Sequence, residues 1–281
     1  MPLIPNDDPE ALAELLGYLG EIGYGELYLR RAPAAGAAGP GVVTAAGGVR
    51  SGDAAAEAVA AVDELVAAAR HAGAAPPEGS GSQEGGAEEG AEEAAARAAA
   101  LGAMAEVVAA CRRCRLCEGR QKTVFGSGDP NADLMFIGEG PGAEEDRQGL
   151  PFVGRAGELL TRIIEAIGMT RDQVYIANIV KCRPPGNRDP QPDEVAACRS
   201  YLERQVALVR PRLLVALGRI AAQTLLGNDL PIGRMRGQWF EVLGVPLMVT
   251  YHPAALLRNP ALKRPTWEDM QQVRDRLQAA G

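Results

Sequence analysis

The chain has 281 residues, 47% hydrophobic and 23% charged, with a net charge of −7. That apolar content supports a packed core, and the absence of any run of eighteen apolar residues excludes a helical membrane span. The acidity is local. Residues 1–100 hold 5 Lys+Arg against 16 Asp+Glu, whereas residues 101–281 hold 24 against 20, leaving a mildly basic body of the kind a phosphate-bearing partner favours.

The first residues, MPLIPNDDPEALAELLGYLG, carry acids where a secretory signal has a basic start. Five cysteines with a C-x2-C pair point to metal or redox use rather than a disulfide framework. Together these place the protein in the cytoplasm. Residues 7–20 suit a short helix, capped by Asp7 or Asp8, with Pro9 in its first turn and a stripe of Leu12, Leu15, Leu16 and Leu19. A brief extended piece, EIGYGELYL, follows. Residues 32–95 are rich in Ala, Gly and Glu, and GSGSQEGGAEEG has almost nothing to bury. We therefore divide the chain into a helical segment (1–31), a linker (32–95) and a folded domain (96–281). An Ala-rich helix is expected at 53–72. Another runs from about 91 straight into Cys111.

From there strands and helices alternate. DLMFIG (133–138), VYIANIVK (174–181) and RLLVALG (212–218) read as buried strands. GRAGELLTRIIEAIG (154–168), QPDEVAACRSYLERQVALV (191–209) and RIAAQTLLG (219–227) read as the helices between them. FEVLGVPLMVTYHP (240–253) is a hairpin whose second strand ends at His252, and TWEDMQQVRDRLQAA closes with a helix. This order predicts an α/β fold: a three-layer α/β/α domain around a mostly parallel four-stranded sheet. Ligands bind beyond the carboxyl ends of such strands. Each strand there empties into a polar or glycine-bearing loop: GEGPG (138–142), KCRPPGNRDP and YHPAALLRNP. Of the two histidines only His252 belongs to the domain, so imidazole chemistry there must use it.

In this order, GEGPG, GLPFVGRAGELL, NIVKCRPPGNR and HPAALLRNP resemble the family-four uracil-DNA glycosylases, over roughly residues 108–278. The resemblance implies a base-excision enzyme that flips uracil out of DNA. It implies a [4Fe–4S] cluster on Cys111, Cys114, Cys182 and Cys198, although cysteine spacing alone also admits zinc. Arg112, Arg113, Arg115 and Arg183 would offset the cluster's charge, and Cys117 is left as a packing residue. Phe152 would stack on uracil, and Asn178 would pair with its O4 and N3–H. Gly138, Glu139 and Gly140 would contact the base or a flanking phosphate through backbone N–H groups. His252 would donate a hydrogen bond to O2 of the leaving uracil.

Many relatives in the wider superfamily have an aspartate where this chain has Gly140. The water-positioning group is therefore sought among Glu139, Glu145 and Asn187, with Glu145 preferred. In the last motif Ala255, Leu256 and Leu257 are wedge candidates for the minor groove, and Arg258 a phosphate contact. The competing role of these three apolar residues is the buried first turn of a helix. The expected partner is uracil-containing DNA, met by a monomer with no membrane association. A replication or repair protein is a further partner for the N-terminal extension. The alternative activity is uracil-DNA binding without turnover. Against it stands the lack of any histidine between residues 72 and 251, where such relatives carry a basic, histidine-containing insertion.

Overall fold

A computed structural model describes residues 83–279. The helix expected at 7–20, the extended piece after it, the Ala-rich helix at 53–72 and most of the linker lie outside the described residues. Helix α1 (Gln83–Ala109) begins earlier than expected, within the stretch read as linker, and stops two residues before Cys111. Alanine and glutamate have high helix propensity. The later part of α1 docks through Ala100, Leu101, Met104 and Val108. A single turn, α2 (Leu116–Gly119), follows Cys111 and Cys114 and contains Cys117.

Four parallel strands form the centre: β2 (Leu134–Gly138), β3 (Tyr175–Asn178), β4 (Leu213–Leu217) and β6 (Val245–Thr250). Two short antiparallel strands close the edges, β1 (Ser127–Gly128) on β3 and β5 (Trp239–Val242) on β6. The order is β1-β3-β2-β4-β6-β5, so the expected four-stranded core gains an edge strand on each side. β2, β3 and β4 are buried along their whole length, as a sheet covered on both faces requires. Successive side chains alternate between two cores. Met135, Ile137, Leu214 and Ala216 face α1, α5 (Pro192–Val209) and α6 (Arg219–Leu226). Leu134, Phe136, Val215 and Met248 face α4 (Arg155–Ala166) and α9 (Lys263–Ala279). Amphipathic α4 shows why: Leu159, Leu160, Ile163 and Ile164 are buried while Glu158, Arg162 and Glu165 are exposed.

Two boundaries differ from the sequence expectation in ways that matter. β3 ends at Asn178, three residues early, because the chain then turns toward the cysteines. β6 ends at Thr250, so His252 is not a strand residue but the N-cap of a short helix, α8 (Pro253–Arg258). Helix α3 (Ala143–Gln148) and α7 (Ile232–Met235) fill the remaining connections.

Candidate active site

The carboxyl ends of the parallel strands open into a cleft of about 540 Å³. β2 and β3 end side by side, with Gly138 opposite Asn178 in register. A Cβ on Gly138 would lie 2.5 Å from Asn178 Oδ1 and 2.6 Å from Phe152 Cζ, so only glycine lets the amide and the ring meet over the strand end. Phe152 itself sits at φ 51, a left-handed conformation unusual for an aromatic residue. Its loop is tied down on several sides. Glu145 Oε1 accepts from the backbone N–H groups of Val153 (3.0 Å) and Gly154 (3.1 Å), and the Arg171 guanidinium holds the Pro151 carbonyl. At the start of α4, Gly157 leaves the space that the Phe152 carbonyl occupies. Opposite, the His252 ring lies 5.4 Å from Phe152 between centroids, tilted by 32°. Gly218, at φ 92, permits this approach, since a Cβ there would be 2.8 Å from His252 Cβ.

The electrostatics are specific. His252 Nδ1 accepts from the N–H of Ala254 at 3.1 Å, which leaves the proton on Nε2. Burial, reinforced by the positive charge of Arg258, pushes its pKa down to about 4, so the imidazole is neutral at physiological pH. Asn178 is 1% exposed, and its Oδ1 is buried with no hydrogen-bond partner among the described residues. A buried amide oxygen left unpaired costs about 1–3 kcal/mol, and such an orphan marks a place where a ligand completes the bonding. Glu139 lines the same cleft. Burial, then the negative charge of Asp189, raises its pKa to about 7, while Arg219 pulls the other way.

The rim collects the other motif residues. Asn187 is exposed at φ 55, and its Oδ1 accepts from Arg183 Nε at 2.8 Å. Arg188 is committed to Glu194, which also receives Arg115, and the first of these bonds leads in holding the Glu194 carboxyl down at about 2. Gly140 packs its bare Cα side against Val180, where a Cβ would come within 2.8 Å of Cγ2. An aspartate at this position would displace Val180.

The cysteines gather on the face of the sheet that α1 and α5 cover. Cys111, Cys114, Cys117, Cys182 and Cys198 line one small shared cavity. All five are free thiols, and among the described residues no group of three or more His, Cys, Asp or Glu is drawn into a metal-holding arrangement. The donor set nevertheless fits a thiolate-ligated centre, because each of four sulfurs has its own hydrogen-bond donor. Tyr201 pairs with Cys111, the Leu116 N–H with Cys114, Arg120 with Cys182 at 3.1 Å and the Lys181 N–H with Cys198. Cys117 has no such donor among the described residues. N–H···S and O–H···S bonds of this kind stabilise metal-bound thiolates.

Residues 125–271 match the model of the uracil DNA glycosylase superfamily. The type-4 uracil-DNA glycosylase of Sulfurisphaera tokodaii is 44% identical over 179 residues, covering 60% of this chain and 81% of that protein. That of Thermotoga maritima is 41% identical over 182 residues, covering 63% of this chain and 95% of the relative. A type-5 uracil-DNA glycosylase of Thermus thermophilus is more distant, at 32% over 158 residues, 45% of this chain and 72% of that one. The chain belongs to the uracil-DNA glycosylase superfamily, in its type-4 branch.

Set within this superfamily, the motif residues Gly138, Glu139, Gly140, Glu145, Phe152, Asn178, Asn187, His252 and Arg258 converge on a single cleft. Two expectations need correction. Leu256 is 2% exposed and packs in the core with Trp267 and Met270, because α8 turns that face toward α4; its neighbour Leu257, 41% exposed, is the residue that projects. Glu145 has one carboxylate oxygen engaged in anchoring the Phe152 loop, so it is a poorer water-positioning group than its motif position suggested. Sequence reasoning missed Asp189, Arg219, Gly218 and Tyr251. Asp189 and Arg219 form an ion pair at 2.8 Å on the cleft wall, joining the loop before α5 to the first residue of α6, 30 residues away in sequence. Gly218 and Arg219 directly follow a strand, a signal that could have marked them.

Proposed function

We propose that this chain is a monofunctional uracil-DNA glycosylase, which hydrolyses the N-glycosidic bond of a flipped-out deoxyuridine and leaves an abasic site. The observation that carries this reading is the buried, unpaired Asn178 Oδ1 at the strand end beside the Phe152 ring, in the cleft that the neutral His252 imidazole also lines. That amide offers an acceptor for N3–H and a donor for O4 of uracil. Cytosine reverses both, and mispairing a buried amide costs about 1–3 kcal/mol. Phe152, buried and fixed at φ 51, gives the flipped base a rigid face.

Bond breaking places negative charge on the uracil, spread toward O2. His252 Nε2–H is the donor for that charge, and one preorganised donor contributes about 10²–10³ in kcat. The imidazole needs no positive charge for this, in keeping with its low pKa. Glu139, poised near 7, takes the water that captures the sugar cation, and Asn187 orients it. Leu257 and Arg258 meet the DNA, the first as a wedge and the second on a phosphate.

Cys111, Cys114, Cys182 and Cys198 would hold a [4Fe–4S] cluster, and Cys117 would not. Bound there, it would supply a cross-link between the end of α1, the turn after β3 and α5. Burial raises the thiols of Cys114, Cys182 and Cys198, the last to about 12, so cluster binding releases protons.

The test uses a 5′-labelled oligonucleotide with one uracil, incubated with iron-loaded protein and then treated with alkali. Cleavage at uracil is expected, with none in a thymine control and none with His252→Ala. An intact strand that stays bound to protein would instead assign capture without turnover.

A further inference from the structure

Lys181 is 1% exposed, set in the core on the cysteine side of the sheet. It directly precedes Cys182, and its backbone N–H donates to Cys198. Its side-chain amine reaches back three residues and donates to the main-chain carbonyl of Asn178 at 2.8 Å. It also donates to Gln205 Oε1 on α5. The Gln205 amide nitrogen then donates to the Phe125 carbonyl at 2.9 Å and to the Tyr175 hydroxyl at 3.2 Å.

The sheet explains why side chains are needed here. β1 pairs with β3 only through Tyr175 and Ile176, so that ladder stops before Asn178. On the other side, Ile179 N–H bonds to the Gly138 carbonyl and leaves the Asn178 carbonyl facing the missing strand. A buried carbonyl requires a partner. Lys181 supplies one for Asn178, and Gln205 supplies one for Phe125. Neither is joined by a carboxylate in this network, and a buried amine that found no acceptor would be costly. Two features give this lysine a task beyond filling space. It holds the one residue whose own amide oxygen is left open in the cleft, and it is chained to the loop that carries Cys182.

We propose that Lys181, locked by Gln205, is the positioning residue for base reading. By fixing the Asn178 carbonyl it sets the angle at which the Asn178 amide enters the cleft, and so couples recognition of the base to the cysteine-bearing loop. This rests on the glycosylase reading above. A fully satisfied buried network is rigid, and a rigid amide discriminates where a mobile one does not.

Lys181→Met and Gln205→Leu, made in the full chain and loaded with iron, test it. Iron per chain and the visible spectrum establish that the centre is intact. Affinity for free uracil is measured by calorimetry, beside single-turnover excision. With iron content unchanged, uracil affinity is expected to fall about tenfold or more, and excision by a similar factor, while affinity for undamaged DNA stays at the wild-type value. Because Lys181 acts through Asn178, adding Lys181→Met to Asn178→Ala should cause no further loss. Wild-type uracil affinity in an iron-loaded variant, or losses that add in the double variant, would overturn the proposal. Should Lys181→Met lose its iron, Gln205→Leu decides by the same criteria, since its side chain bonds to no cysteine. A wild-type protein that binds uracil without excising it would refute the enzymatic reading alone, and the affinity comparison would still judge Lys181.

Discussion

Replacing Gly138 by alanine adds one methyl group at the point where the cleft is tightest. The new Cβ would stand 2.5 Å from Asn178 Oδ1 and 2.6 Å from Phe152 Cζ, where ordinary contact begins at 3.4 Å. Both neighbours must therefore withdraw by about 0.8–0.9 Å, the shortfall in those distances. Neither has room to do so freely. Phe152 is held at φ 51 by the Glu145, Arg171 and Gly157 contacts around its loop, and Asn178 is buried at a strand end. Overpacking of this kind costs about 1–3 kcal/mol of stability. The effect on catalysis should be larger in kind, because both displaced groups read the base: a misplacement of about 1 Å is worth about 10²-fold in rate. The assay is single-turnover excision from the uracil oligonucleotide, alongside thermal unfolding. Gly140→Ala serves as the comparison, since its clash at 2.8 Å is with the single methyl Cγ2 of Val180. A Gly138→Ala protein that excised uracil within threefold of the wild-type rate would show that Asn178 and Phe152 do not form the reading site.

Three further outcomes are expected. Glu139 has a folded pKa raised to about 7, so its protonated form is favoured by the fold; that contribution is complete below the unfolded value near 4.5 and is lost as pH rises through 7. Glu139→Gln should accordingly stabilise the protein by about 1–3 kcal/mol at pH 8, after allowance for solvent contact, and by much less at pH 5, as read by urea unfolding. Wild-type excision should rise between about pH 6 and 8 as Glu139 deprotonates, and Glu139→Gln should remove that rise. Asn178→Leu replaces an unpaired buried amide with an apolar group of similar shape; unfolding temperature should rise while excision disappears, and a drop in stability would mean that the amide is paired in the free protein. Cys117→Ser should keep full iron content and visible absorbance, whereas serine at Cys111, Cys114, Cys182 or Cys198 should lose both; loss with Cys117→Ser would place Cys117 among the ligands.

Much of this protein was decided along the chain alone. Strands rich in apolar residues, separated by amphipathic helices, admit few arrangements other than a covered parallel sheet, and that sheet places every strand-end loop on one rim. The polar loops GEGPG, KCRPPGNRDP and YHPAALLRNP were therefore legible as site components, and so was the C-x2-C pair with its two distant partners. What the chain alone could not decide was the direction in which individual side chains point. Leu256 and Leu257 are equivalent as letters, and only the packing of α8 on α4 buries one and exposes the other. Glu145 read as a candidate base until its carboxylate was found holding the Phe152 loop. The neutral state of His252 and the near-neutral pKa of Glu139 follow from burial and from charges brought in by distant segments, Arg258 for one and Asp189 for the other. Hydrophobic period and turn chemistry are local and survive in the sequence. Desolvation, clash distances and the partners of a buried carbonyl exist only once the chain has closed on itself.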